Sequence, residues 1–223
     1  MRILFAGSPG IALPALRVLA DLAGQGALEL AGVLTNPDSP RGRHGTPEPT
    51  EVGAFAEERS LAPVLKPAKL DAGAREAVAA LEPDLLLSFA YGRIFGPKFL
   101  ALFPGGGINI HPSLLPRYRG PTPIQAAILN RDTETGISIQ RIAPEMDAGD
   151  ILAQERIPLS GRETAASLGE TVAGKGAAML AALCAAKLQA LAAEGLEGLP
   201  QDHSRASYCG LISREMGRID WTK

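Results

Sequence analysis

The sequence contains few of the residues that build disulfide frameworks, metal sites or aromatic cores. Its 223 residues include 2 cysteines and 3 histidines, and aromatic residues make up 4% of the chain. Cys184 and Cys209 form neither a disulfide framework nor a zinc-binding spacing, so we expect two inert thiols and no metal. With so few aromatic rings, aliphatic residues and alanine must fill the core.

Long apolar runs and an excess of one charge are also lacking. No stretch approaches the length that crosses a bilayer, and the apolar run after Met1 is too short for a signal peptide. Lysine and arginine together number 22 against 24 aspartates and glutamates, and the net charge of −2 gives no global attraction to nucleic acid. We therefore expect a cytoplasmic protein that does not bind membranes.

The residues that are present alternate between strand and helix patterns. Residues 2–6 form an apolar run that predicts a buried strand, a turn follows, and residues 11–23 have the periodicity of a helix. Residues 28–35 and 84–88 predict further buried strands. This order predicts an α/β fold with a doubly wound, mostly parallel sheet and helices on both faces. The first turn does not match G-x-G-x-x-G, so it gives little support to dinucleotide binding.

The second half of the chain predicts a hairpin and a long helical region. Residues 135–142 alternate between isoleucine and polar side chains, which predicts a half-buried strand. Residues 151–157 would pair with it as the other arm of the hairpin. Residues 162–193 are rich in alanine and predict one or two helices, with a weak point at residues 174–176.

A proline-rich loop separates the second strand from the next helix. Residues 36–49 contain 4 prolines and 2 glycines, which excludes regular structure. Arg41, Arg43 and His44 cluster at its centre. Two interpretations remain open, because a loop of this length is either a solvated surface loop or an arm that touches an anionic partner.

The most informative stretch is residues 108–120, where a short apolar strand ends in polar residues. Asn109 and His111 lie two positions apart, so on an extended strand their side chains share one face. Pro112 ends the strand, which places an amide and an imidazole at its carboxyl end, where open α/β sheets bind ligands. Downstream, Asp147 lies in a turn. Folded back against His111, its carboxylate would orient the ring and favour the protonated form.

These three side chains suit acyl transfer in which the substrate supplies the nucleophile. No serine or cysteine stands beside His111 in a nucleophile elbow, and a single histidine makes a poor metal site. Asn109 or a protonated His111 could donate to an oxyanion, and a nearby base could accept a proton from an attacking amine. The alternative is that His111 is a satisfied core histidine and Asn109 a capping residue.

Three arginines follow the strand without any acidic residue between them. Arg117, Arg119 and Arg131 give residues 113–131 a local positive charge on a slightly acidic protein. Such a cluster is either a solvated face or, beside an active site, a means of holding a phosphate or carboxylate.

Residues 108–120, with the sequence INIHPSLLPRYRG, are followed at residues 147–150 by DAGD. Together they resemble the signature of the folate-dependent formyltransferases. Residues 2–9, 36–43 and 217–221 resemble in particular the methionyl-tRNA formyltransferase family, so the resemblance covers almost the whole chain. It implies a Rossmann-like catalytic domain that uses 10-formyltetrahydrofolate as co-substrate, without a metal, to formylate the amino group of methionyl initiator tRNA.

The resemblance also assigns roles to individual residues. It implies that Asn109, His111 and Asp147 are catalytic, that Arg41 and Arg43 contact the tRNA, and that the protein is a monomer. The residues that it implies for folate binding are Phe89, Ala90, Tyr91, Gly92, Arg93, Ile94, Ser113, Leu114, Leu115, Pro116, Ala143 and Met146.

Two matters of domain organisation and substrate stay open at this point. Members of the family continue into a β-barrel domain, so we expect residues 1–205 to form the catalytic domain and residues 206–223 to be a tail or the start of a linker. The chain is then either a piece of such a protein or a naturally short relative. The alternative functions are a formyltransferase for a small amine, such as an aminosugar nucleotide or glycinamide ribonucleotide, and a non-catalytic module that binds folate or a nucleotide.

Overall fold

The computed structural model describes residues 1–40, 45–193, 198–218 and 221. The main strands and helices of this part of the chain are, in order, β1 (Arg2–Gly7), α1 (Leu13–Gly24), β2 (Glu29–Leu34), β3 (Ser39–Pro40), β4 (Pro47–Glu48), α2 (Glu51–Glu58), β5 (Val64–Leu65), α3 (Ala72–Ala79), β6 (Leu85–Phe89), α4 (Pro97–Leu100), β7 (Gly107–His111), α5 (Pro123–Leu129), β8 (Glu134–Arg141), β9 (Ile151–Pro158) and α6 (Ala165–Ala193).

Seven of these strands form one sheet in the order β5-β2-β1-β6-β7-β8-β9. The strands from β5 to β7 run parallel, and β8 and β9 add an antiparallel hairpin at one edge. The chain moves outward from β1 to β5, then returns to place β6 on the other side of β1. The predicted doubly wound, mostly parallel sheet is therefore confirmed, and ligands of such sheets bind where the strand order reverses.

The side chains of β1 show how the two faces of the sheet are covered. Ile3 and Phe5 belong to one apolar cluster, which includes buried residues of α1, α2 and α6. Leu4 and Ala6 belong to a second cluster with residues of α3 and α4. Because successive side chains of a strand point to opposite faces, both faces of β1 are buried under helices, as predicted.

The alanine-rich region forms one continuous helix of 29 residues. The predicted weak point at residues 174–176 does not interrupt it. A Cβ atom at Gly176 would lie 3.2 Å from Ile110 Cγ2, so this glycine lets α6 pack closely against β7. Despite the length of α6, none of the helices in the described residues is both long and apolar enough to cross a membrane.

Two predictions of local structure are wrong in part. Strand β8 is buried at residues 135–140 on both faces, not half-buried, because α6 packs on one face and the turn of residues 113–115 contacts Ser138 on the other. Its polar residues Thr135, Ser138 and Gln140 are buried with the rest. The proline-rich loop does contain regular structure, since β3 pairs with β4 in an antiparallel bridge at its base. Arg41, Arg43 and His44 lie outside the described residues.

The residues after α6 return along the sheet to the end of β7. Leu199 and Ile151 exchange backbone hydrogen bonds of 2.9 Å, which brings the chain beside β9. Further on, the amide of Arg119 donates to the carbonyl of Ser207 and the amide of Cys209 donates to the carbonyl of Arg119, both at 2.8 Å. This segment therefore packs against the loop that follows β7. The domain boundary at residue 205 stays a prediction.

Candidate active site

A cavity of about 760 Å³ opens at the carboxyl ends of β6 and β7. Its volume lies within the range of small-molecule sites. One wall is the segment that follows β6, and the other combines the end of β7 with the loop between β8 and β9. The residues of the sequence-based assignment that line this cavity are Phe89, Ala90, Tyr91, Gly92, Arg93, Ile94, Asn109, His111, Ala143, Met146 and Asp147.

His111 is held on both sides of its ring. Its Nε2 atom lies 2.9 Å from the backbone oxygen of Tyr118, and its Nδ1 atom lies 3.5 Å from Asp147 Oδ1. A carbonyl oxygen only accepts, so Nε2 must carry the hydrogen of that bond. Both ring nitrogens thus face oxygen atoms of the protein. Only 5% of the side chain is exposed, so the ring is fixed in one orientation.

Asp147 is fixed by hydrogen bonds to both of its carboxylate oxygens. Its Oδ1 atom accepts from Gln140 Nε2 and its Oδ2 atom accepts from the backbone amide of Gly120, both at 2.8 Å. Its backbone has φ 52°, in the left-handed region, which costs a non-glycine residue about 1 kcal/mol or more. A residue held in this conformation needs support from its surroundings.

Gly120 explains how the loop after β7 reaches the carboxylate. Its φ of 109° is in a region open mainly to glycine, and a Cβ atom there would collide with the carbonyl oxygen of Cys209. Only glycine allows the chain to pass between Cys209 and the site while its amide points at Asp147. Gly120 directly follows Arg119 and ends the loop that begins after β7.

Asn109 supplies a neutral donor beside the imidazole. It is half-buried on β7, pairs in register with Gln140 of β8 and lines the cavity. Within the described part of the chain, no protein group takes a hydrogen bond from its amide. The amide therefore remains available to a ligand oxygen, in reach of the same space as His111.

The opposite wall is supported by packing. The rings of Tyr91, Phe95, Phe99 and Phe103 follow one another with centroid distances of 5.4, 5.5 and 5.6 Å. Tyr91 is 2% exposed, its hydroxyl has no partner among the described residues, and burial raises the pKa of that hydroxyl. At the cavity mouth, the Ile94 side chain is 75% exposed, so the wall presents apolar surface to an incoming molecule.

Arg93 connects this wall to the base of the proline-rich loop. Its Nε atom donates to Asn36 Oδ1 at 2.6 Å, and its Nη1 atom donates to the carbonyl of Ala68. Asn36 in turn donates from Nδ2 to the carbonyl of Tyr91 at 3.0 Å. The first residue of the loop is thus anchored directly to the segment that lines the cavity.

Four residues of the sequence-based assignment do not line the cavity, namely Ser113, Leu114, Leu115 and Pro116. Ser113 is buried, and its hydroxyl donates to the carbonyl of Arg117 at 2.6 Å. Ser138 donates from its hydroxyl to the carbonyl of Ser113 at 2.7 Å. The turn lies behind the wall that carries His111, which gives it a supporting position.

Of the two alternatives for the three arginines, neither a solvated face nor a ligand-binding group fits Arg119. Arg119 is fully buried, and its guanidinium donates to Gln201 Oε1 from Nε at 3.2 Å and from Nη2 at 2.8 Å. Arg117 forms an ion pair with Asp132 at 2.8 Å, just beyond the stretch that lacks acidic residues. Arg119 is therefore not available to hold a phosphate or carboxylate of a ligand, whereas the Arg117 side chain is 43% exposed in addition to its ion pair.

Sequence reasoning missed the polar residues that support Asp147. Gln140 was read only as one of the polar positions in the alternating pattern of β8. Its amide lies on the strand next to β7, opposite Asn109, and this position could have suggested that it supports the site. Gln201 lies 82 residues from Arg119 and carries no local signal.

Comparison with known proteins decides the family. The formyl transferase model matches residues 1–183. The chain belongs to the formyl transferase family. The methionyl-tRNA formyltransferase of Treponema pallidum (strain Nichols) is 46% identical over 232 residues, which cover all of this chain and 69% of that protein. The methionyl-tRNA formyltransferase of Roseiflexus castenholzii is 44% identical, with the same coverage of both chains. The resemblance found in the sequence is therefore confirmed.

Solved structures of other formyltransferases share the fold of this family member. Phosphoribosylglycinamide formyltransferase from Bacillus halodurans aligns with a TM-score of 0.71 and 23% identity, covering 87% of this chain and all of that one. An N-formyltransferase from Helicobacter canadensis, in complex with folinic acid and dTDP-3-aminofucose, gives a TM-score of 0.67 and 21% identity. It covers 96% of this chain and 71% of that chain. At these identities the likeness shows the fold alone.

Proposed function

We propose that this formyltransferase transfers the formyl group of 10-formyltetrahydrofolate to the α-amino group of methionyl initiator tRNA, for the start of translation. The observation that carries the proposal is the meeting, in one cavity, of an imidazole held on both sides, a fixed carboxylate and an amide that has no side-chain hydrogen bond to any of the described residues. Relatives named methionyl-tRNA formyltransferase, 46% and 44% identical over this whole chain, support the acceptor.

The reaction needs donors where negative charge develops. The free amine attacks the formyl carbon, a C–N bond forms, and the carbonyl oxygen becomes an oxyanion. The Asn109 amide lines the cavity beside His111, so it can donate to that oxygen. His111, whose two ring nitrogens face Tyr118 and Asp147, would act on the same oxygen through a positive charge close to it. When the intermediate collapses, the bond from carbon to the folate nitrogen breaks, that nitrogen gains a proton, and the amine nitrogen has lost one.

Asp147 supports this chemistry in two ways. Its carboxylate lies 3.5 Å from His111 Nδ1, where it orients the ring. It also borders the cavity, so it can relay the proton that leaves the amine, directly or through a water molecule. The hydrogen bonds from Gln140 and Gly120 keep it in place during both steps.

The apolar wall fits a folate. Its cavity is large enough for a drug-sized molecule, and such molecules bind mainly against apolar surface with a few polar groups for orientation. We propose that Phe89, Ala90, Tyr91, Gly92, Arg93 and Ile94 line the folate site together with Ala143 and Met146. The turn of Ser113, Leu114, Leu115 and Pro116 would shape the site from behind.

The acceptor would approach from the side of the proline-rich loop. Asn36 anchors the base of this loop to the cavity wall, and we propose that Arg41 and Arg43 contact the acceptor end of the tRNA. Arg43→Ala should then raise KM for charged tRNA at low salt, with an effect that fades as salt rises. Because one chain builds the whole cavity, we propose that the enzyme works as a cytoplasmic monomer.

A transfer assay with several acceptors tests the proposal. Purified protein and 10-formyltetrahydrofolate are offered charged initiator tRNA, glycinamide ribonucleotide and an aminosugar nucleotide, and formylated product is measured. We expect the largest kcat/KM for the charged tRNA. A larger value for a small amine would reassign the acceptor, and absence of transfer to every acceptor, with folate still bound, would favour a binding module.

A further inference from the structure

A buried side chain that does not line the cavity makes two hydrogen bonds to the backbone of the loop that carries Asp147. Gln201 is 5% exposed and lies on the segment that follows α6. Its Nε2 atom donates to the carbonyl of Asp147 at 2.9 Å and to that of Gly149 at 2.7 Å. The same atom lies 3.3 Å from Gln140 Oε1.

We infer that Gln201 is a positioning residue for the formyl transfer, which fixes Asp147 through the backbone of its loop and through Gln140. The inference rests on the proposed function, because it concerns the carboxylate to which that function gives a role. Gln201 itself touches neither the cavity nor a reacting atom.

The first argument is the backbone conformation of Asp147. Its φ of 52° must be maintained by contacts around it, since an unsupported non-glycine residue would leave the left-handed region. Gln201 holds the carbonyl of Asp147 itself and that of Gly149, two residues on. Gly149 has no room to shift toward β8, because a Cβ atom there would already collide with the carbonyl oxygen of Arg141. The loop is thus held between Gln201 and the strand.

The second argument is the orientation of Gln140. Its Nε2 atom donates to Asp147 Oδ1, and this requires that its Oε1 atom point the other way. The two hydrogens of Gln201 Nε2 are directed to the carbonyls of Asp147 and Gly149, so its contact of 3.3 Å with Gln140 Oε1 is a weak one. It still favours this orientation, because a flipped Gln140 would place two amide nitrogens face to face. Gln201 therefore supports the carboxylate oxygen that lies nearest to His111.

The third argument shows that the amide of Gln201 cannot be flipped. Arg119 donates to Gln201 Oε1 from two guanidinium nitrogens, and a guanidinium has no acceptor. The carbonyls of Asp147 and Gly149 have no donor. With Oε1 bound to a charged donor on one side, Nε2 must face the loop on the other. The fully buried Arg119 thus sets the direction of the whole chain of hydrogen bonds that ends at Asp147.

The variant Gln201→Glu tests this role with almost no change in shape. The new carboxylate keeps an acceptor for Arg119 but has no donor for the loop. We expect kcat for charged tRNA to fall by about 10- to 100-fold, as expected when a catalytic group is misplaced, with KM for the folate nearly unchanged. Gln25→Glu makes the same chemical change on an exposed helix end and should leave both constants alone. An unchanged kcat for Gln201→Glu would overturn the inference.

A double variant separates positioning from a general structural effect. If Gln201 acts through the Asp147 carboxylate, adding Gln201→Glu to Asp147→Asn should lower the single-turnover rate much less than it does in the wild-type background. Gln201→Glu alone should also change the pH dependence of kcat in the same direction as Asp147→Asn. Independent, multiplicative losses with an unchanged pH profile would show that Gln201 only stabilises the fold.

Thermal unfolding is measured for every variant. If Gln201→Glu does not fold, Gln201→Asn replaces it, because this variant keeps the amide but is one methylene too short to reach both Arg119 and the loop. A folded Gln201→Asn with full kcat would overturn the inference. Wild-type protein without transfer to charged tRNA would refute the proposed function instead, so the two failures are distinguishable.

Discussion

The two walls of the cavity are held in opposite ways. The wall after β6 contains a row of packed rings, and the buried hydroxyl of Tyr91 in this wall has no partner among the described residues. The wall formed by β7 and the Asp147 loop depends on directed hydrogen bonds, so that His111 and Asp147 each have partners on two sides. Packing tolerates small shifts and hydrogen bonds do not. We therefore expect the first wall to determine affinity and the second to determine rate.

The largest effects should come from removing donors of the polar wall. Asn109→Ala should lower kcat by about 10² to 10³, the usual cost of losing one oxyanion donor, and His111→Ala, which removes the ring that Tyr118 and Asp147 hold in the site, should lower it by about as much. Both variants should keep a cooperative thermal unfolding transition and bind folate. If either variant folds and turns over near the wild-type rate, that residue has no catalytic role. The proposed difference between the two walls would then be wrong.

Changing the carboxylate should have the next largest effect. Asp147→Asn puts an amide where Gln140 and the Gly120 amide both donate, so one of these bonds must be lost, and His111 loses the negative charge beside it. We expect kcat to fall by about 10² and its pH dependence to change. Asp150→Asn, in the same loop, is the matched control and should stay near wild type. The reverse result would assign the carboxylate role to Asp150.

A change in the apolar wall should alter binding with little effect on rate. Ile94→Ala removes apolar surface that is exposed without ligand and would be covered by folate. We expect KM for the folate to rise roughly tenfold, as for the loss of about 1.5 kcal/mol of apolar burial, at nearly constant kcat. Leu129→Ala, a similarly exposed residue on α5, should change neither constant. If Ile94→Ala instead lowered kcat alone, the proposed division between the walls would be wrong.

The smallest effect concerns the unpartnered hydroxyl. Tyr91→Phe should raise the free energy of unfolding by up to about 1 kcal/mol at neutral pH, because it removes a buried polar atom without a hydrogen bond. Tyr118→Phe, which loses a bond to Asp132, should lower it. Burial raises the pKa of Tyr91, so the unfolded chain ionises first and stability falls above about pH 10. In Tyr91→Phe the free energy of unfolding should decrease less steeply above about pH 10 than in the wild type. An equally steep decrease in both proteins would show that Tyr91 is not its cause.

The parts of the site that follow from one stretch of chain were predictable. Asn109 and His111 are two residues apart on a strand, so their common face is a consequence of strand geometry alone. The sheet and its helices on both faces also follow from local periodicity. Among the described residues of the segment 36–49, the prediction of a loop without regular structure is wrong at the base, where Pro40 and Pro47 lie opposite each other in a bridge that needs few hydrogen bonds.

The parts that depend on distant segments were not predictable. Arg119 looks exposed in the sequence because its partner Gln201 lies on a segment that returns to the site only after α6. The polar residues of β8 look like a solvent face because the sequence does not show that β9 covers the strand's outer edge and that α6 packs on it. In both cases burial is decided by tertiary packing, which local periodicity does not report.

The position of Gln201 in the chain has a consequence for synthesis. A ribosome adds residues from the amino terminus, so the loop with Asp147 is made well before the segment that supports it, 54 residues later. Domains fold progressively during synthesis, and the sheet and the cavity walls can form first. The carboxylate, however, gains its full support only after residue 201 has left the ribosomal tunnel. The enzyme is thus expected to acquire its shape before it acquires its full activity.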